Sequence, residues 1–305
     1  FCASMQNRQL IVPEGQDLDV IVRPRLKTDV AGGTTNQNIA FFIDPTHKSD
    51  DSQTGSGAIR ARGDESSNPL DANDGDTSAE GEIFIGLTSA TTNNLQITGN
   101  GNVSVLAKIS SITNANPDAN GSAVPNGLSN IGQFKIAAAA HGNTKDGLND
   151  VILSGVVFNV NATNVSITGN TFKFYNKANA TVKHSCTAHY ATATTFAVSI
   201  TGNASGSLLV NCSDIPLGSS VQTEIDQGSD QTFVLEATIT NPNFSTTNSS
   251  LQVSLQSFDN ARVSGTGIGT TESHLAWRDK DQAASTLFRW VEYPETVVKS
   301  TSYAG

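Results

Sequence analysis

Apolar residues recur at every second position along most of this chain. Ile39, Phe41 and Ile43 do so, as do Val103, Val105, Ala107 and Ile109, and then Val156, Phe158 and Val160. The pairs and triplets Phe172/Phe174, Phe196/Val198/Ile200 and Leu251/Val253/Leu255 keep the same period. Successive side chains of a strand point to opposite faces, so a period of two predicts half-buried β-strands. Polar stretches such as "NATN", "TGNASGS" and "NPNFSTTNSS" separate the runs and read as turns. No segment of a dozen residues carries a helical stripe. The expected class is all-β, arranged as sandwiches.

Two of the alternating runs resemble each other. "GQDLDVIVRPRL", residues 15–26, and "GSDQTFVLEATI", residues 228–239, both open with Gly-x-Asp and both alternate afterwards. Leu18, Val20 and Val22 stand where Gln231, Phe233 and Leu235 stand in the second run. "NIAFFID" answers "SLQVSLQ", and "AIRARG" answers "NARVSG". This repeat predicts tandem sandwiches, the first present only as its C-terminal half over residues 1–110. Residues 111–130, rich in Pro, Asn and Gly, are the expected linker, and 131–305 the complete second sandwich. Asp17 to Leu26 should be a strand with Leu18, Val20 and Val22 facing a core. A half sandwich exposes an apolar face and an open edge. Upstream sequence or strands from a neighbouring subunit would have to complete it. Phe134, Phe158, Phe174, Phe196, Phe233 and Trp290 are the expected aromatic core of the second domain.

Composition narrows the function classes. Of 305 residues 37% are hydrophobic, enough to build cores, and only 15% are charged, below the usual share of roughly 25%. The net charge of −10 argues against nucleic acid, whose phosphates need clustered Lys and Arg. It suits solubility and divalent cations better. Several Asn-x-Ser/Thr sites, Asn161 and Asn164 among them, permit surface glycosylation. Cys186 and Cys212 flank strand-like segments of one domain and are read as a disulfide, which implies an oxidising, extracellular setting. The alternative is a pair of buried free thiols. Cys2 aligns with Cys212 in the repeat, and its own partner would then lie upstream.

The densest acidic loop is "DANDGDTSAEGE", residues 71–82. Asp71, Asn73, Asp76 and Glu82 offer the hard oxygen ligands that calcium takes. The glycine spacing is wrong for a helix–loop–helix calcium site, and a solvated polar loop is the alternative. Arg62-Gly63-Asp64 is an adhesion-type tripeptide that also arises by chance. His184, Cys186 and His189 could suggest a metal, but strand alternation sends 189 away from 184 and 186. No phosphate loop, nucleophile elbow or acid–base constellation is present in the sequence, so no enzyme is expected.

The run "IGQFKIAAAAHGNTKDGLNDVILSGVVFNVNATNVSITGNTFKFYN" resembles the repeated immunoglobulin-like domains of large surface proteins in candidate-phyla-radiation (Patescibacteria) bacteria. Phe134, Ile136, Val151, Leu153, Val156, Phe158, Phe172, Phe174 and Tyr175 carry the likeness, with Trp277, Asp279, Trp290 and Val291 in the tail. The resemblance implies tandem sandwiches outside the cell, in surface layers or appendages, with no enzyme activity attached. The expected function is a structural subunit that assembles with copies of itself. An adhesin or stalk with an acidic, calcium-binding loop is the alternative.

Overall fold

Alternation becomes a strand only where a neighbour satisfies the backbone, and the chain divides on that criterion. The computed structural model describes residues 10–28, 31–35, 37–39, 42–43, 59–68, 82–83, 97–98, 102–116, 122–140, 149–192, 196, 198–213, 215, 222–241, 248–255, 275–281, 287–289 and 299–304. It falls into two compact units: residues 1–26 with 38–102, and residues 27–37 with 103–305.

The first unit holds short, nested strand pairs. β1 (Asn38–Ile39) pairs with β6 (Asn102–Val103), β2 (Phe42–Ile43) with β5 (Ile97–Thr98), and β3 (Ile59–Arg60) with β4 (Glu82–Ile83). The expected strand at Asp17–Leu26 is not formed. Those residues belong to no helix, turn or strand, lie in no ladder, and leave Leu18, Val20 and Val22 exposed. The repeat survives only in its turn. Gln16 N–H donates to Pro13 O at 3.1 Å, and Ser229 N–H donates to Asp226 O at 3.0 Å. Each turn carries a left-handed glycine at its third position, Gly15 at φ 69° and Gly228 at φ 71°, where a side chain would be strained. Local sequence thus reproduces the turn; the ladder beyond it needs partners that residues 17–26 do not find among the described residues.

The second unit is an antiparallel sandwich. Its strands are β7 (Ile109–Asn114), β8 (Gly127–Ala138), β9 (Val151–Thr168), β10 (Lys173–Asn176), β11 (His184–Ser185), β12 (Thr187–Tyr190), β13 (Asn203–Cys212), β14 (Glu224–Ile225), β15 (Asp230–Thr240), β16 (Ser250–Leu255), β17 (Leu275–Asp279) and β18 (Lys299–Ala304). One layer runs β7–β8–β15–β10–β11, the other β18–β16–β9–β13–β12, with β17 and β14 completing the β9 edges. The layers join at a corner where Ile239 and Thr240 of β15 meet Ile167 and Ser166 of β9. The expected linker at 111–130 is therefore corrected. Ile109–Asn114 and Gly127–Ala138 are paired strands, with Ile112 opposite Ile136. Ile109 and Ile112, three positions apart, both enter the core because a register shift between Ile109 and Ser111 breaks the period of two.

The core joins the two layers. Phe158 on β9 meets Phe134 on β8 at 5.5 Å and Phe174 on β10 at 6.1 Å, and Phe174 stacks on Phe233 of β15 at 5.3 Å. All of these rings are buried, as expected from the alternation. Phe196 is half-buried against the His189 ring instead. Trp290 and Cys2 lie outside the described residues. A second aromatic pair, Trp277 and Phe288 at 5.1 Å, fills the end of the sandwich beside β17.

Candidate functional site

The strand "LAWRD" buries Leu275, Ala276 and Trp277 and then delivers charge to one end of the sandwich. Asp279 pairs with Val151 at the start of β9, and Lys280 N–H donates to Asp150 O at 3.0 Å. β14 pairs with the same end of β9, Glu224 opposite Ile152, and brings a third carboxylate. The ligating oxygens of Asp150, Glu224 and Asp226 lie within 4.8 Å of one another. Three carboxylates at this spacing could hold a hard cation.

A cation of the protein's own already serves two of them. The Lys280 ammonium lies 3.2 Å from Asp150 Oδ2 and hydrogen-bonds Glu224. The bond to Glu224, aided by Asp150 and opposed by burial, pushes the Lys280 pKa up to about 12. Asp150 is almost wholly buried, and its other oxygen accepts the Gln227 N–H at 2.9 Å. Asp281 reaches across from the same turn to accept the Asn149 N–H at 3.0 Å.

Asp279 itself points the other way, into the core, and is fully buried. Its Oδ2 accepts a hydrogen bond from the Thr35 hydroxyl and another from Ala107 N–H at 3.3 Å; Oδ1 accepts Asp281 N–H at 3.1 Å. Burial is the largest influence on this carboxyl and raises its pKa above the usual 3.8, while the donors from Thr35, Asp281 and Ala107 pull it down. Thr35 is held in turn. Its Oγ1 accepts Leu106 N–H at 3.1 Å, and Ser104 hydrogen-bonds both sides of the segment, through Thr34 O and Gln37 N–H. The stretch 31–37 is thereby tied to the second unit.

The residues singled out from the sequence fall elsewhere. Cys186 and Cys212 form a disulfide. Cys186 stands between β11 and β12, where the chain passes from one layer to the other, and Cys212 ends β13 in the second layer. Such bonds persist in oxidising compartments. His184 Nε2 lies 3.1 Å from Ser213 O, and His189 Nδ1 lies 2.6 Å from Val198 O. A carbonyl can only accept, so each of these nitrogens donates and is committed to the fold. Arg62, Gly63 and Asp64 are at an exposed turn closed by Gly63 N–H to Asn68 O at 3.0 Å. Asp71, Asn73 and Asp76 lie outside the described residues, and of Glu82 only the backbone, in β4, is described.

Asp150, Glu224, Asp226 and Lys280 were not legible as a set, because three separate chain segments supply them. The one signal was the charged run Arg278-Asp279-Lys280-Asp281 ending a strongly apolar strand. Among the described residues no helix is long and apolar enough to cross a membrane. No protein-family model and no curated protein matches this chain.

Proposed function

We propose that this chain is a structural subunit of an extracellular surface assembly, a layer or filament, that associates with copies of itself and is not an enzyme. One observation carries the reading. Leu10, Ile11, Val12, Leu18, Val20, Ile21, Val22 and Leu26 are all exposed, by 42% to 71%. Scattered apolar residues on a surface need no explanation, but eight of them exposed within residues 10–26 mark an association surface. The disulfide supports an extracellular setting, and the copied turn around Gly15 and Gly228 supports tandem, immunoglobulin-like domains. Calcium binding by the 71–82 loop is a separate proposal, tested by whether a chelator loosens the assembly.

Electron microscopy of the native material, with sedimentation of the purified chain over a concentration series, tests the reading. Ordered sheets or fibres and concentration-dependent association are expected. A chain that stays monomeric throughout, with no ordered material, overturns it.

A further inference from the structure

The exposed segment carries a second pattern that its hydrophobicity conceals. Among odd positions, Asp17 and Asp19 come first, Ile21 sits in the middle, and Arg23 and Arg25 follow. Acidic then basic about a central apolar residue is the charge order of a strand complementary to its own reverse. We propose that residues 17–25 form an antiparallel β-pair with the same segment of a second copy of this chain, on a two-fold axis at Ile21. The inference rests on the self-associating reading above and specifies its contact.

The backbone is ready for such a pair. Residues 16–28 are exposed and belong to no helix, turn or strand, none has a positive φ, and none of residues 17–27 makes a hydrogen bond or ion pair to a described residue. The turn before them is the turn that launches β15, a strand with partners on both edges: β8 on one, β10 on the other. In an antiparallel ladder, alternate residues direct N–H and C=O to the same neighbour. The edge served by Asp17, Asp19, Ile21, Arg23 and Arg25 has every N–H. The opposite edge includes Pro24, which has none, and proline confines pairing to the side away from itself. β15 has Ala237 at the equivalent place and pairs on both edges. One open edge gives a closed, isologous dimer instead of an endless ladder.

The register follows from the charges. With Ile21 opposite its symmetry mate, Asp19 faces Arg23 and Asp17 faces Arg25, each combination occurring twice. Val20 then faces Val22 on the apolar side, and Leu18 faces Pro24. Opposite charges and β-branched pairs in direct cross-strand contact both stabilise a sheet, and like charges there destabilise it. A parallel, in-register pair would set Asp against Asp and Arg against Arg. A slip of two residues puts Asp17 opposite Lys27 and Asp19 opposite Arg25, but it sets Ile21 against Arg23.

Sedimentation equilibrium of the full chain tests the contact with two single charge reversals, Asp19→Arg and Arg23→Asp. Each lies in an exposed stretch outside the sheet ladders, and an unchanged far-UV circular dichroism spectrum checks that the sandwich is intact. Each variant alone should dimerise about tenfold or more weakly, because both contacts at its reversed position become like-charged. An equimolar mixture should regain wild-type affinity, since the arginine introduced at 19 of the first variant then meets the aspartate introduced at 23 of the second, and the native Arg23 of the first meets the native Asp19 of the second. In the slipped register position 19 would face Arg25 and position 23 would face Ile21, so Arg23→Asp alone would not weaken the dimer and the mixture would keep one repulsion, between the arginine introduced at 19 and Arg25. Association of the wild type with no effect of either reversal, or with no recovery in the mixture, overturns this pairing and leaves the self-associating reading standing. A wild type that stays monomeric overturns both.

Discussion

The Thr35 hydroxyl donates to Asp279 across 244 residues of sequence, inside the core, where neither group meets water. Thr35 is therefore a fixed part of the second unit although it precedes the whole of the first unit's strand pairs. Replacing it by valine keeps the shape and deletes the hydroxyl. Asp279 Oδ2 then loses a donor, and Leu106 N–H loses its acceptor. We expect Thr35→Val to cost about 2 kcal/mol, read from urea unfolding, because orphaned buried polar groups carry their full desolvation penalty.

The same carboxyl sets a pH dependence. Burial raises the folded pKa of Asp279 above its unfolded value of 3.8. Below 3.8 both states hold the proton and the group contributes nothing. As pH rises from there through the folded pKa, the unfolded state ionises first, so the folded state binds more protons and stability falls. The cost is complete above the folded pKa. Wild type minus Asp279→Asn, measured as unfolding free energy across this window, should slope downward with pH. A flat difference would mean that the donors around Asp279 cancel its desolvation.

The disulfide closes a loop across a separation of 26 residues and should contribute about 3.5 kcal/mol in the chain-entropy account. Intact mass before and after reduction and alkylation should show two cysteines that react only once reduced. A melting curve with reductant should shift down correspondingly. Two thiols alkylated without reduction would remove the bond from this picture.

Lys280 bridges Asp150 and Glu224 from a partly exposed position, so its loss is screened by solvent. Lys280→Ala should cost about 1–2 kcal/mol, mostly from leaving the buried Asp150 carboxylate short of a partner. It also leaves Asp150 and Glu224, two of the three clustered carboxylates, without the ammonium. Calcium should raise the melting temperature of this variant more than that of the wild type. An equal response in both would show that the ammonium is not the cation that satisfies these carboxylates.

Phe158 touches aromatic rings on two strands of the facing layer. Phe158→Ala should cost about 3–5 kcal/mol, as for other large buried rings. The loss is measured by denaturant midpoint. A change within 1 kcal/mol, given the scale of such deletions, would contradict the layer arrangement.

Much of this was written in the local order of residues. Alternation placed Phe134, Phe158, Phe174 and Phe233 on inward faces, because strand period alone decides which side chains share a face. Gly15 and Gly228 each fixed a turn, because a left-handed backbone position is set within four residues. What lay beyond local order was decided by partners. Residues 15–26 and 228–239 share a turn and a period, yet only the second run is a strand, because only it has β8 and β10 to satisfy its backbone. Residues 111–114 and 127–130 look like a linker by composition and are strands by pairing, the first with β8 and the second with β15. Thr35 with Asp279, and Lys280 with Asp150 and Glu224, were invisible because hydrogen bonds between distant segments leave no periodicity. They exist only once burial removes water as the competing partner.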